Sequence, residues 1–536
     1  MKKLFKKWSL LLFSAAFTIT MTSGCKKQQI NQWTKAASSE EENVLSYSVL
    51  SKINSLDPQK LNQMVASTIG YHIYEGLVRN DNGKIVKAGA KSYQISEDGL
   101  VYTFTLRKAY WKNTHSLVTA QDYVRGIQRL VDEKTESDYG FLGYYIKNGA
   151  AVQQGAFPVK KLGVRALDDE TLEIRLEKKT DYFLKILSLV QFSPVPEEAL
   201  KEAGDYLGTS AEYLYENGPF YVDQWEGDQI VLKKNEDYWN AEEVFLDQVV
   251  ITRKGSIKEV KEAYQKGETN LLTSLFPSSK EEDYTSYTDG QLVMVKLNLD
   301  HKKLADRNFR KALLYSIDQN QLNKEVFEGL QEASFGYVLP ELLNLSEDET
   351  RNRTTSYDPE RAKQYMEKVK KKWKWNDKKP WKLTLICSDS ELRQQIAAYL
   401  KESWEKNLGI QVEIQDVSSD ERWNYEASGE YDMILTKWVP DYDDPTAYLE
   451  NWKSDSPYNQ GHYSSKEFDK KMDQAATKSG SGRLTMLSEA EQILIEDVPA
   501  IPLYFRKKVL TQGENVKGVS TYYIGYQYNF IHGKIE

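Results

Sequence analysis

The chain has 536 residues, 40% of them hydrophobic and 28% charged, a soluble globular balance in a chain too long for one core. With 71 Lys+Arg against 79 Asp+Glu the net charge is −8, which argues against a nucleic-acid partner, whose phosphates need a basic face. Tyrosine is abundant, 35 against 17 Phe and 12 Trp; rings with a polar handle suit a wet binding surface and also ordinary half-buried packing.

Lys2, Lys3, Lys6 and Lys7 form a basic start, and an apolar run follows from Leu10 to about Met21. That run is too short to span a bilayer and fits the hydrophobic part of a secretory signal over 1–24. It ends in Thr22-Ser23-Gly24-Cys25. Small residues before a lone cysteine resemble a bacterial lipoprotein cleavage site, although Thr22 stands where such sites usually carry leucine. The resemblance implies lipidation at Cys25, with acyl chains such as palmitate holding the chain on a membrane surface. The alternative is an ordinary signal with a chance cysteine. Residues 25–43 are polar with little periodicity and read as a tether. Cys387 is then the only other thiol, so no internal disulfide is expected.

From Val44 onward the pattern is mixed α/β without internal repeats. Strict alternation predicts strands over 101–106 and 171–176, and the Gly218-Pro219 turn signal precedes another strand from Phe220. The stretch 306–329 is helical: Phe309, Ala312, Leu313 and Ile317 share a face, and Asp318 with Gln321 looks like a capping box opening a second helix. Over 381–445 the pattern is richer. Trp381, Leu383 and Leu385 alternate as a strand; Leu392, Ile396, Tyr399, Leu400 and Trp404 trace a helical face closed by Gly409; Ile410, Val412 and Ile414 alternate again. That is a β-α-β unit, followed by a β-like run over 431–438 that ends in Val439-Pro440-Asp441-Tyr442-Asp443-Asp444-Pro445.

Ligands of open α/β sheets bind beyond the carboxyl ends of strands. Asp441 stands there between Trp438 and Tyr442, and a carboxylate among rings suits an ammonium group. Alternatively Asp441, Asp443 and Asp444 cap the next helix with Pro445 in its first turn, which local sequence alone favours.

Motifs for nucleotide, serine-hydrolase or zinc chemistry are missing: no GxxxxGK[ST], GxSxG or HExxH occurs, and histidines 72, 115, 301, 462 and 532 are scattered. His115 reads as a loop residue, and His462 as a solvated loop residue within reach of a ligand. Pro445 breaks any EF-hand pattern at 441–444. No metal, no cofactor and no enzymatic activity are expected.

Taken together, fragments in order resemble one family, the oligopeptide-binding lipoproteins of bacterial ABC peptide importers (extracellular solute-binding protein family 5). They include Ser55-Leu56-Asp57-Pro58, Tyr74-Glu75-Gly76-Leu77-Val78, Val118-Thr119-Ala120-Gln121-Asp122, Asn217-Gly218-Pro219-Phe220, Phe309-Arg310-Lys311-Ala312-Leu313, Tyr357-Asp358-Pro359, the Asp441–Pro445 motif and Val498-Pro499-Ala500-Ile501-Pro502. The resemblance implies an α/β, two-lobed periplasmic-binding-protein-like fold with an extra inserted domain. Lobe I would combine 44–80, 180–290 and 510–536; the inserted domain would be 81–179, and lobe II 291–509.

By the same resemblance Asp441 meets the α-ammonium group of an extended peptide, leaving Asp443 or Asp444 for capping. Lys437, Trp438 and Val439 match the strand end whose backbone pairs with the peptide, and Trp438 a ring that closes over it. Asn62, Gln63 and Met64 match the opposite lobe's backbone contact. Some relatives place arginines near this strand for the peptide carboxylate; the chain has Glu426 and Leu435 there, which argues against a fixed C-terminal anchor. The implied partners are oligopeptides with a free N-terminus, the subunits of an ABC permease, and the membrane through the lipid anchor. The protein itself is expected to be a monomer on the extracytoplasmic face of a Gram-positive cell surface. General peptide uptake, capture of one signalling (pheromone) peptide, and a surface-anchored enzyme or adhesin on the same fold remain the competing functions.

Overall fold

The computed structural model describes residues 43–536 apart from 277–282, 344, 347, 350–356 and 376–379. The expected signal over 1–24, Cys25 and the expected tether up to residue 42 lie outside the described residues.

An eleven-stranded sheet organises the chain. One half runs, from its edge inward, through Phe220–Glu226, Gln229–Lys234, Gln248–Arg253, Val44–Val49 and Leu271–Ser274. The other half continues through Ala500–Gln512, Thr285–Leu297, Met433–Trp438 and Lys382–Ser388 to Gln411–Val417 at the far edge. A short strand, Glu332–Ala333, pairs with Ala500–Gln512 off this path. Each half has its own hydrophobic core, one around Leu45, Tyr47, Ile69, Phe220 and Phe530, the other around Val295, Phe309, Leu385, Leu400 and Trp404.

Two 13-residue strands, Thr285–Leu297 and Ala500–Gln512, join the halves. They pair with each other from Thr285↔Leu510 to Lys296↔Ala500, and the ladder is interrupted between Thr288 and Leu292. At that irregularity Gly290 takes φ +72°, a conformation that costs glycine nothing. Asp289 beside it accepts from Arg506 Nε at 2.7 Å, and Lys508 Nζ lies 3.3 Å away.

A separate four-stranded sheet holds Ala90–Ile95, Val101–Leu106, Thr171–Arg175 and Val164–Ala166. Helix Ala120–Val131 packs on it, started by a reciprocal capping box between Thr119 and Asp122. The core beneath this sheet is continuous with Tyr442, Tyr448, Trp452 and Tyr523, so the loop after Met433–Trp438 is packed against the 90–176 region.

The β-α-β reading holds. Lys382–Ser388 and Gln411–Val417 are parallel neighbours joined by helix Glu391–Leu408, which stops at Gly409 with φ 68°. The helical stretch after 306 is two helices, Arg307–Tyr315 and Gln319–Phe327, so Ile317 lies in the turn between them. Asp318 does accept from the Gln321 N–H at 2.9 Å. The reciprocal bond from the Asp318 N–H to the Gln321 side chain does not form, and the Gln321 amide donates to Glu325 one turn on.

Candidate functional site

Strand Met433–Trp438 opens on three consecutive apolar residues, Met433 and Leu435 buried in the core on one face and Ile434 in a small cluster on the other. On one side it pairs along its whole length with Thr285–Leu297, from Met433↔Leu297 to Trp438↔Leu292. On the other, its pairing with Lys382–Ser388 covers only Met433 and Ile434. The edge from Leu435 to Trp438 is therefore without a strand partner, and a free edge of this kind is a template for an added strand. The Lys437 side chain and Val439 are exposed, Val439 by 38%.

Just beyond this edge the chain enters Pro440-Asp441-Tyr442-Asp443-Asp444-Pro445, whose carboxylates have contrasting surroundings. Asp444 accepts from Arg483 through both amino groups, at 2.6 and 2.8 Å, and from the Thr446 N–H and hydroxyl at 3.0 and 2.7 Å. Asp443 accepts from the Tyr523 hydroxyl and is ion-paired with Lys185 at 3.1 Å. Tyr442, just before them, stacks on Tyr182 with ring centroids 5.3 Å apart and shares a hydrogen bond with Tyr145 at 3.1 Å. The capping task thus falls to Asp444. Among the described residues Asp441 has no hydrogen bond and no ion pair. Burial alone pushes its carboxyl up to about 6, because nothing nearby compensates the lost hydration. Its field reaches Tyr139 and Tyr458, whose hydroxyls it helps push up.

Asn62, Gln63 and Met64 lie exposed at the start of helix Met64–Ile73. The N–H groups of Asn62 and Gln63 make no hydrogen bond within the described residues. The Asn62 amide donates to Asp138 at 2.7 Å, and Asp138 and Asp441 both help push up the hydroxyl of Tyr139.

Trp438 is half-buried. Its indole N–H donates to the Ala447 carbonyl at 2.7 Å, and its ring meets Tyr458 edge-on at 5.5 Å. Together with Leu292, Met294, Tyr337, Tyr448 and Trp452 it walls an aromatic recess that has Lys296 among its lining residues. The Lys296 ammonium is held by Glu426 at 2.9 Å and Gln460 at 3.0 Å, and Glu426 also accepts from Arg422 and Thr436. Those cations and donors keep the Glu426 carboxyl below its usual range despite burial. Glu426, a departure noted in the sequence, is thus fully neutralised. A larger cavity of about 500 Å³ lies on the other side of the acidic loop, between Lys185, Tyr287, Thr288, Glu341, Asp443 and Tyr523.

Sequence reasoning did not find Lys185, Arg483, Tyr523, Tyr139 or Asp138. Each is distant in the chain from the residues it serves, and no local pattern marks it. His462 is a loop residue with φ +55°, 3.8 Å from exposed Asp300, and His115 is likewise a loop residue. Cys387 is buried and free, and its thiol donates to Asp416. No group of metal-ligating side chains occurs among the described residues, and no helix among them is long and apolar enough to cross a membrane.

Two sheet halves joined by a pair of crossing strands, with a small extra sheet and an unpaired strand edge, define a solute-binding protein of the two-lobed type. The chain belongs to the bacterial extracellular solute-binding proteins, family 5, whose middle-region model matches residues 84–460. It is 28% identical to the oligopeptide-binding protein OppA of Bacillus subtilis over 534 residues, covering 96% of this chain and 97% of that protein. Among solved structures it resembles the substrate-binding domain of an oligopeptide ABC transporter from Bacillus anthracis, with 30% identity and a TM-score of 0.74 over 92% of this chain and 99% of the other. It also resembles the pheromone receptor PrgZ, with 27% identity and a TM-score of 0.75 over 92% and 100% of the two chains. The α/β fold with two lobes and an inserted domain is the fold of this family.

Proposed function

We propose that this protein binds extended oligopeptides between its lobes outside the membrane and hands them to an ABC peptide permease. Asp441 carries the reading: it is a desolvated carboxylate with no partner of its own, at the end of a free strand edge. A peptide laid along Leu435–Trp438 would add a strand to the sheet, its main chain bonding to the backbone irrespective of side chains. Its α-ammonium would pair with Asp441, fixing the register, and Tyr139, Tyr458 and Trp438 would supply aromatic walls. Asn62, Gln63 and Met64 would meet the peptide from lobe I. Affinity then rests on backbone and terminus, and hydrated side-chain recesses admit many sequences. That design is binding, not catalysis.

The lobe assignment that fits this function is 44–80 with 180–290 and 510–536 for lobe I, 81–179 for the inserted domain and 291–509 for lobe II. Closure of the lobes about the crossing strands would present a surface to the permease. The protein works as a monomer, tethered through Cys25 to the extracytoplasmic face of the membrane.

Native mass spectrometry of protein purified from cells in rich medium, followed by sequencing of whatever denaturation releases, tests this. A ladder of unrelated peptides is expected for an uptake component. A single dominant peptide would instead make the chain a dedicated signal receptor, the reading to which the likeness to the pheromone receptor lends support. An empty protein that also ignores a random peptide library overturns peptide binding altogether.

A further inference from the structure

Helix Pro359–Trp373 buries Ala362, Met366 and Val369 at spacings of three and four, and the chain around its end is strongly basic. Lys368, Lys370, Lys371, Lys372 and Lys374 fall within seven residues. Two more lysines reach the same place from the loop before helix Arg307–Tyr315. Lys302 Nζ stands 5.5 Å from the Trp373 ring centroid, and Lys303 Nζ 5.3 Å from that of Trp381. Trp373 and Trp375 both pack on Trp381, with centroids 5.8 and 4.9 Å away. The helix macrodipole accounts for basic residues in a last turn. It does not account for Lys302 and Lys303, or for three indoles among the ammonium groups.

The nearby carboxylates are already engaged. Asp306 is buried and accepts from Lys372 at 2.8 Å, from the Trp373 indole at 3.0 Å and from the Asn308 N–H at 3.0 Å, while Glu367 pairs with Lys370 at 3.5 Å. Among the described residues Lys302, Lys368, Lys371 and Lys374 are in no ion pair, and all four are exposed. In a chain of net charge −8, such a local excess of free ammonium groups attracts a polyanion that the rest of the surface repels. The patch also has a defined place on the sheet. Lys303 donates to the Lys382 carbonyl at 3.4 Å and feels Asp432, so it stands at the N-terminal ends of the parallel strands Lys382–Ser388 and Met433–Trp438. The Asp441 loop follows the other end of Met433–Trp438. A surface docked on the lysines therefore leaves the free edge and Asp441 uncovered.

We propose that this lysine–tryptophan patch docks the protein on a membrane surface of anionic lipid, its ammonium groups meeting lipid phosphates. The composition favours lipid over a protein partner. All seven cations are lysines, which protein interfaces disfavour and for which they substitute arginine. A fluid plane of phosphates is met by mobile point charges and does not require the rigid fork of a guanidinium. Half-buried indoles beside the lysines suit the headgroup level of a membrane. A lipid-anchored tether of the kind expected over 25–43 holds the body near a membrane without orienting it, and the patch supplies the orientation. Docking through the patch does not itself require lipidation at Cys25.

The test is co-sedimentation of residues 26–536 with vesicles. The residues of all the hydrophobic cores lie beyond residue 43, so this chain keeps the described fold and lacks the expected signal and Cys25. The vesicles are phosphatidylcholine alone, or phosphatidylcholine mixed with phosphatidylglycerol. The patch variant is Lys302→Gln/Lys371→Gln/Lys374→Gln. A control of equal charge change is Lys84→Gln/Lys87→Gln/Lys134→Gln, all exposed and far along the chain from the patch. None of the six lysines is in an ion pair among the described residues, so the substitutions spare the fold, and melting temperatures check this. We expect the native chain to bind the phosphatidylglycerol vesicles at least tenfold better than phosphatidylcholine, and raised salt to release it. The patch variant should lose at least tenfold of that affinity and the control should stay within threefold. Equal losses in both variants would mean that overall charge is read, and would overturn the patch. Release by free glycerophosphate at matched phosphate concentration would assign a soluble ligand and overturn the lipid surface. Failure to sediment with either vesicle overturns it too and leaves the lysines to an acidic protein. None of these outcomes bears on peptide binding.

Discussion

Asp441 and Asp444 lie three residues apart in one loop, yet only Asp444 is paired. It grips Arg483 through both amino groups at 2.6 and 2.8 Å, whereas the Asp441 carboxylate has no hydrogen bond or ion pair among the described residues. The pair at Asp444 ties the loop to helix Gly480–Asp497, whereas burial without a compensating partner pushes the Asp441 carboxyl up to about 6.

Asp441 should oppose stability as it serves binding. Folding raises its pKa from about 3.9 in the unfolded chain to about 6. The folded state therefore binds the extra proton between roughly pH 4 and 6, and stability falls as pH rises through that window. At neutral pH the penalty is about 3 kcal/mol. Asp441→Asn should raise the melting temperature of the ligand-free protein at pH 7.5 and lose the advantage at pH 4. The same variant should weaken peptides with a free N-terminus by about 2–5 kcal/mol. Thermal unfolding and calorimetry read the two effects separately.

Peptide binding should itself depend on pH. Below about 6 Asp441 takes up a proton and ceases to attract an ammonium. Above about pH 8 a peptide's α-amino group loses its charge. Affinity should therefore peak between these limits, and N-acetylated peptides should bind poorly throughout. Equal affinity of acetylated and free peptides would remove Asp441 from the ammonium role.

Breaking the buried pair beneath the loop should cost more than breaking a surface one. Arg483→Met strands the Asp444 carboxylate and should destabilise by about 3–5 kcal/mol. Chemical denaturation measures this. A loss below 1 kcal/mol would mean that Thr446 and solvent suffice to hold Asp444.

Gly290 connects the crossing strands to the ligand loop. A Cβ there would stand 2.7 Å from the Tyr523 ring and 3.2 Å from the Pro440 ring, at a φ of +72° that side chains avoid. Gly290→Ala should destabilise by about 1–3 kcal/mol and disturb the position of Asp441, one residue from Pro440. Small-angle scattering with and without peptide would report whether closure survives.

For the anchor, Cys25→Ser should release the protein from membranes or stall its processing. Membrane fractionation decides, and unchanged retention would point to another attachment.

Local rules carried much of the fold. Alternation marked Val101–Leu106, the helical face of Leu392, Ile396, Leu400 and Trp404 marked Glu391–Leu408, and Gly409 marked its end, because each depends on residues within one turn or one pleat. The acidic motif at 441–445 was visible too, though local sequence favoured capping over a ligand role without saying which carboxylate caps. Which of them is free was decided by Arg483, Lys185 and Tyr523, tens to hundreds of residues away. The half-formed capping box at Asp318 shows the same limit on a small scale: Asp318 accepts from the Gln321 N–H as the pattern suggests, while the Gln321 amide donates to Glu325. Likewise the free edge of Met433–Trp438 exists only because Lys382–Ser388 pairs with no more than its first two residues. Charge and hydrogen-bond partners act through space, so the sequence by itself determined the elements and their family order, and the tertiary structure decided which polar groups were left for a ligand.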